Sequence, residues 1–216
     1  MKTISQNYMN IENSKNKIII ISSPSGAGKT TICKYLLKKM NNLDLSISYT
    51  TRPIRINELN GKDYFFINTD KFDELNKKNL FIETAKNFNY LYASPLSNIH
   101  KSFKKNRNIL FDIDWKGAQR LRKKFNQSQI IDFFILPPNK KELKRRLEKR
   151  GRDNKNEIKN RLSYALSEMS HHTDYRYVIV NDKIHETVNN LLSIINYHLL
   201  NIYLQENLKK KSKLFK

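Results

Sequence analysis

The run Ser23-Pro24-Ser25-Gly26-Ala27-Gly28-Lys29-Thr30 sets two glycines, a lysine and a threonine between an apolar stretch, Lys17–Ser22, and a helical pattern, Thr30–Met40. These residue types in this order suit a polyphosphate. Gly26 and Gly28 allow a tight turn whose backbone N–H groups point inward, and the helix that follows adds the positive end of its dipole. Lys29 is then placed to reach the β- and γ-phosphates, and Thr30 to ligate Mg²⁺. The usual GxxxxGK[ST] pattern has Gly where Ser23 stands here; serine tolerates turns and its hydroxyl can bond locally. A glycine-rich turn alone is often a mere connector. The strand before it and the Lys-Thr pair after it favour phosphate binding.

Such a loop needs a sheet and helices to hold it. Apolar, β-branched runs at Ile18–Ile21, Ile109–Ile113, Ile130–Leu136 and Tyr177–Val180 alternate with amphipathic helical stretches, which predicts an α/β P-loop core with a buried parallel sheet flanked by helices. The core is expected to draw on residues 17–46, 107–136 and 166–207. Residues 47–106 differ in character. There Ile47–Tyr49 and Tyr64–Ile67 suggest short strands, Asp70–Lys77 and Pro95–Lys105 suggest helices, and Arg52-Pro53 and Asn60-Gly61 suggest turns, giving an inserted α+β lobe. Residues 137–165, after Pro137-Pro138, suggest a lid of two helices broken at Gly151-Arg152-Asp153-Asn154, and Ile184–Lys209 a long terminal helix. A polar extension, 1–16, and a basic tail, 208–216, flank the whole.

The chain has 216 residues, one cysteine and a formal net charge of +21. That length supports one compact core with small mobile lobes. No apolar stretch is long enough to span a membrane and residues 1–15 lack the apolar segment of a secretory signal, so the expectation is a cytoplasmic protein without membrane partners. Cys33 cannot form an internal disulfide and suits a small buried filler better than a reactive thiol. The positive charge invites a nucleic-acid reading, but lysines are spread along the chain and no nucleic-acid motif accompanies them. No specific nucleic-acid partner is therefore expected. The same field would draw in small phosphorylated substrates. His171 and His172 have no partner at metal-ligand spacing and fit a helix terminus or a surface.

Six motifs follow one another in order: Ser-Pro-Ser-Gly-Ala-Gly-Lys-Thr at 23–30, Ser-Tyr-Thr-Thr-Arg at 48–52, Gly-Lys-Asp-Tyr-Phe-Phe at 61–66, Phe-Ile-Glu at 81–83, Asp-Ile-Asp-Trp at 112–115 and Val-Asn-Asp at 180–182. As a set, from about Lys17 to about Leu204, they resemble the guanylate kinase family of P-loop nucleoside monophosphate kinases. The resemblance implies an ATP:GMP phosphotransferase that uses Mg²⁺ and acts on GMP or dGMP. It implies an ATP site over Ser23–Thr31 (Ser23, Pro24, Ser25, Gly26, Ala27, Gly28, Lys29, Thr30, Thr31), with Asn181 near the adenine, and a GMP site in the inserted lobe.

Guanine offers N1–H and N2–H₂ as donors and O6 as acceptor. Glu83 and Asp114 match the family's carboxylates and Ser48 its hydroxyl. Arg52, Arg55, Tyr64 and Tyr92 match the groups that hold the GMP phosphate, Arg as a planar fork and Tyr as a neutral donor. Glu58 is placed to orient the arginines. Ser94 before Pro95 suits a nucleotide contact and a helix N-cap at once. Asp112 can support Mg²⁺ through water and belongs to the same set. Arg146, Arg150 and Arg161 match the lid arginines that, with Lys29 and Arg52, would carry catalysis. Blander readings exist for each: a surface carboxylate at a helix for Glu83, loop cations for Arg52 and Arg55, strand aromatics for the tyrosines, a solvated face for the lid cations. The chain departs from the family at Ala93, where Gly is usual, and at Leu91, where Tyr is frequent. A left-handed backbone at position 93 would strain an alanine.

Two other classes compete with this enzyme reading. A related interaction domain that binds phosphorylated peptides would not need the intact Lys29-Thr30 loop. A basic nucleic-acid binder would show steep salt dependence. Within enzymes, the alternative is a P-loop kinase with another phosphorylated acceptor.

Overall fold

The computed structural model describes residues 14–87, 89–149 and 155–212. At its centre lies β1, Ile18–Ser22, buried along its whole length. It pairs in parallel with β7, Asn108–Asp112, on one side and β8, Ile130–Leu136, on the other. Outward of these stand β2, Leu43–Leu45, and β9, Tyr177–Val180, so that the five-stranded sheet reads β2-β7-β1-β8-β9.

Alternate residues of β1 go to opposite faces, as strand geometry requires. Ile19 and Ile21 join a cluster with Ile32, Cys33 and Leu36 of α1, Lys29–Lys39, and with Val188, Leu191 and Ile195 of α7, Ile184–Ser212. Ile18 and Ile20 meet Ile99 of α3, Leu96–Lys104, and Ala118 and Leu121 of α4, Trp115–Lys124. All four isoleucines are fully buried, each worth about 1.5–3 kcal/mol of transfer free energy. The expected α/β core with its parallel sheet between helices is present. Cys33 is buried, and burial pushes its thiol up, in keeping with a structural filler.

The strand order fixes where a ligand can sit. From β1 the chain crosses to β2 on one side, and from β7 it crosses to β8 on the other, so the carboxyl ends of β1 and β7 flank a crevice at the switch point.

The inserted lobe is a second sheet, β4-β3-β6-β5, built from β3 (Tyr49–Thr50), β4 (Phe65–Phe66), β5 (Phe81–Asn87) and β6 (Tyr90–Pro95), with α2, Thr69–Lys77, beside it. Its small core gathers Phe72, Phe81 and Ala93. The hairpin β5–β6, the longest pairing in the lobe, escaped the sequence reading, as did β2. Pro95 itself, not Ser94, is the residue before the first turn of α3, and no side chain caps that helix. Ser94 lies instead at the end of β6, where its hydroxyl is turned inward.

Ala93 pairs with Tyr49 and Thr84 in ordinary strand backbone; among the described residues the non-glycine positive φ angles fall on Asn57, Asn79 and Asn106. The alanine is unstrained. In the lid, α5, Lys140–Lys149, and α6, Lys155–Met169, meet through Leu143, Leu147 and Ala165, and α6 runs into a short 3₁₀ turn, Ser170–Asp174. His171 there stacks on Trp115, ring centroids 3.5 Å apart, and His172 bonds the Met169 carbonyl, in line with a helix-terminal role for the pair. Among the described residues no helix is long and apolar enough to cross a membrane.

Candidate active site

The turn after β1 is shaped by Gly26 and Gly28, at φ 93° and 98°. A Cβ on Gly26 would stand 2.9 Å from a Leu143 methyl, and one on Gly28 2.5 Å from the Asn181 amide nitrogen. Both the backbone angles and the close packing therefore require glycine at these positions. Ser23 bonds locally, its hydroxyl donating to the Pro24 carbonyl at 3.1 Å. Gly28 is the N-cap of α1, with no side-chain cap and no acidic residue in the first turn. An unneutralised helix start is a site for an anion.

Lys29 reaches across the crevice to β7. Its ammonium lies 2.8 Å from Asp112 Oδ1 and donates to the Ile113 carbonyl at 3.0 Å. Burial opposes the charge, but the Asp112 carboxylate outweighs it and holds the lysine protonated well above its usual range. Thr30, Lys29 and Asp112 line one edge of a cleft of about 460 Å³. A hydroxyl and a carboxylate beside a phosphate loop are hard oxygen donors, the kind Mg²⁺ takes together with substrate phosphates and water.

The opposite wall of the cleft is the lobe. Its strand β5 turns Glu83, Ala85 and Asn87 toward the cleft, and β6 answers with Tyr90 and Tyr92. Glu83 is buried, at 5% exposure, and its bland reading as a surface carboxylate on a helix does not hold. Its Oε1 accepts from the Ser94 hydroxyl at 2.6 Å, and Ser94 in turn lies 3.2 Å from the Ser48 hydroxyl. Among the described residues Oε2 is buried without a hydrogen-bond partner. Burial, with Asp114 adding repulsion, pushes the Glu83 carboxyl up to about 7 against the Ser94 hydrogen bond. Asp114 caps α4, its side chain accepting from Gly117 N–H at 2.9 Å, and also lines the cleft.

Deeper in the lobe Arg52 is buried beneath Tyr64, its guanidinium 5.5 Å from the ring centre. It donates to both Glu58 oxygens, at 2.8 and 3.0 Å, and Glu58 also accepts the Arg55 N–H at 2.8 Å. Glu58 thus links the Arg52 guanidinium to the Arg55 backbone. Loss of hydration and then the neighbouring Arg52 lower the Arg55 guanidinium, with Arg161 of the lid adding to the repulsion. Arg52, Arg55, Arg161, Tyr64 and Tyr92 all line the cleft, where the arginines and Lys29 share the lining with the carboxylates of Glu83, Asp112, Asp114 and Glu168.

Most of the residues singled out from sequence line this one cleft: Ser23, Pro24, Ser25, Gly26, Gly28, Lys29, Thr30, Asp112 and Asp114 from the core, Ser48, Arg52, Arg55, Tyr64, Glu83 and Tyr92 from the lobe, and Arg161 from the lid. Ala27 is buried under the loop, and Thr31 is exposed on α1. Asn181 is buried, its amide donating to the Ala27 carbonyl at 2.7 Å and its oxygen accepting from the Thr187 hydroxyl at 3.1 Å. Arg146 pairs with Glu142 and donates to the Asn181 carbonyl at 3.1 Å. Arg150 lies outside the described residues. Missed from sequence were Asn87, Tyr90, Tyr164 and Glu168, which also line the cleft. Arg161, Tyr164 and Glu168 recur at i, i+3 and i+7, a spacing that marks one helix face and could have flagged them.

The guanylate kinase family model matches residues 15–198. The chain is 43% identical over 183 residues to the guanylate kinase of Rickettsia conorii (strain ATCC VR-613 / Malish 7), covering 85% of this chain and 79% of that protein. It is 44% identical over 183 residues to that of Wolbachia pipientis wMel, covering 85% and 90% respectively. The crystal structure of guanylate kinase from Anaplasma phagocytophilum superposes with a TM-score of 0.72 at 32% identity, covering 88% of this chain and 89% of that one. With a glycine-shaped loop and side chains of both charges from core, lobe and lid lining one cleft, and with relatives matching over most of its length, the chain belongs to the guanylate kinase family.

Proposed function

We propose that the cleft works as a two-substrate site, with the ATP phosphates over the Ser23–Thr31 loop and GMP against β5 and β6. The chain is a nucleoside monophosphate kinase that transfers the γ-phosphoryl of ATP to GMP, giving ADP and GDP. The observation that carries the acceptor assignment is Glu83 Oε2, buried and lacking a donor. A buried carboxylate oxygen without a partner is costly, and guanine N1–H or N2–H₂ supplies one. Asp114 takes the remaining guanine donor, and the Ser48 hydroxyl faces O6.

Arg52, Arg55, Tyr64 and Tyr92 hold the GMP phosphate. One of its oxygens attacks the γ-phosphorus, and the bond from that phosphorus to the ADP oxygen breaks. The acceptor is already an anionic nucleophile, so no general base is required; positioning and charge neutralisation do the catalysis. Lys29 neutralises the β- and γ-phosphates, and Arg161 closes from the lid. Arg146 and Arg150 serve the same closure. Mg²⁺, held by the Thr30 hydroxyl and by Asp112 through water, would supply further neutralisation of the phosphate charge. Asn181 supports the ATP site from beneath, its amide holding the Ala27 carbonyl of the loop. On this reading the lobe takes residues 47–106, the lid 137–165 and the core 17–46, 107–136 and 166–207.

An ADP-release assay across GMP, dGMP, AMP, CMP and UMP tests the reading. AMP puts an amino group where guanine has O6 and lacks both guanine donors, so discrimination of about 10⁴-fold against it is expected for a site built on such bonds. Glu83→Gln, which turns a donor toward guanine's donors, should erode the ratio by weakening GMP. AMP turnover within tenfold of GMP would overturn the acceptor assignment.

A further inference from the structure

Ser25 donates its backbone N–H to Glu168 Oε2 at 3.2 Å, joining the phosphate loop to a helix 143 residues away in sequence. Glu168 is 5% exposed, and burial, against the attraction of Lys29, pushes its carboxyl up to about 7. A carboxylate is not placed in such a site for solubility.

The loop amides fall into two sets. Ala27 donates its N–H to the Pro24 carbonyl at 3.2 Å and Ser25 donates to Glu168, whereas among the described residues those of Gly26, Gly28 and Lys29 meet no protein acceptor. The loop is also held from other sides. Asn181 grips the Ala27 carbonyl, and the Leu143 and Leu147 side chains close over Gly26. The Glu168 contact reaches it from α6, on the helix face that also carries Arg161 and Tyr164 into the cleft.

We infer that Glu168 is a positioning residue for ATP: its carboxylate braces the outer leg of the phosphate loop, leaves the amides of Gly26, Gly28 and Lys29 open for phosphate, and ties the loop to the helix that carries Arg161. Bracing, and not competition for phosphate, follows from which amide it takes. A backbone N–H held by a buried charged acceptor fixes the turn at Ser25, and a fixed turn presents the inner amides without reorganisation when ATP arrives. The inference rests on the phosphotransfer reading only for the identity of the nucleotide over the loop.

The test compares wild type with Glu168→Ala, Glu168→Gln and Glu168→Asp. ATP binding is measured by calorimetry on the full chain without GMP, so the result does not depend on which monophosphate is the acceptor. Loss of a hydrogen bond to a charged acceptor should weaken ATP about tenfold or more in the Ala variant, with GMP binding unchanged within about twofold. The Ser25 amide should exchange with solvent faster. Gln keeps an acceptor oxygen at the same reach and should recover most of the ATP affinity. If Ala does not fold, Asp, one methylene short of Ser25, decides by the same ATP-against-GMP comparison. Equal weakening of ATP and GMP, tighter ATP binding in the Ala or Asp variant, or Gln behaving as Ala with the Ser25 amide unaltered would each overturn the inference.

Discussion

Gly117 lacks a side chain where Glu83 needs the space: a Cβ on Gly117 would stand 2.9 Å from Glu83 Oε2 and 3.3 Å from its carboxyl carbon. The contact is closer than real Cβ atoms accept, so something must move. The atom that would move is the end of a flexible side chain, and it is the same oxygen assigned to guanine. Gly117→Ala should therefore leave the fold intact, with helix propensity favouring alanine by about 1 kcal/mol in α4, while displacing the carboxylate. The expected outcome is a GMP KM raised about tenfold, the loss of one hydrogen bond to a charged group, with the ATP KM and melting temperature little changed. An unchanged GMP KM would show that Glu83 Oε2 does not face the base.

The β5–β6 hairpin shows why part of this site was hidden in the sequence. Strands are found by alternating apolar residues, but β5 presents Glu83, Ala85 and Asn87 to the cleft and β6 presents Tyr90 and Tyr92, so the alternation is broken on the face turned to the cleft. The strand β2 is only Leu-Asp-Leu at the sheet edge, with Asp44 paired to Arg107, too short for any period. β1 and β8, by contrast, are buried on both faces and read as continuous apolar runs. The loop residues Lys29 and Thr30 were legible because their chemistry depends on local spacing. Glu168 was not, because its partner Ser25 is distant in sequence and nothing local marks the pair.

Lys29, the first residue of α1, is tied to the carboxyl end of β7 through Asp112 and the Ile113 carbonyl. Lys29→Met removes the cation at the phosphates and leaves the Asp112 carboxylate facing them alone. The cost in the transition state should be on the order of 3–4 kcal/mol, a fall of about 10²–10³ in kcat. GMP binding, which uses the other wall, should change little. Single-turnover phosphoryl transfer and a GMP titration check both halves, and a variant retaining a tenth of wild-type turnover would remove Lys29 from its assigned role.

Ala93 is fully buried in ordinary strand backbone, so the family's glycine is not demanded here by a left-handed angle. Ala93→Gly should destabilise the lobe by about 1–2 kcal/mol, from the added freedom of the unfolded chain and the loss of a buried methyl. Nucleotide KM values should hold. Chemical denaturation measures the first and steady-state kinetics the second; a stabilised variant would mean that the alanine is strained after all.

Glu83 and Glu168 give the protein a pH dependence whose sign is set by burial. Both carboxyls sit near 7 in the fold against an ordinary value of 4.5, so the folded state holds protons that the unfolded chain has released. Their contribution to stability is fully present below about pH 4.5 and is lost as the pH rises through about 7. Replacing both with Gln should flatten the dependence of unfolding free energy on pH across that window, and denaturant titrations at several pH values measure it. GMP acts on one of the two. Guanine donors favour the charged Glu83 and draw its carboxyl back down, so at a pH just below 7 binding should release a proton that Glu83→Gln does not release. Calorimetry of GMP binding in two buffers of different ionisation enthalpy reads the difference, and the mutant serves as the control for titration of the GMP phosphate itself. Equal proton release by both proteins would place the guanine donors away from Glu83, while Glu168→Gln should release as wild type does because its partner is the phosphate loop.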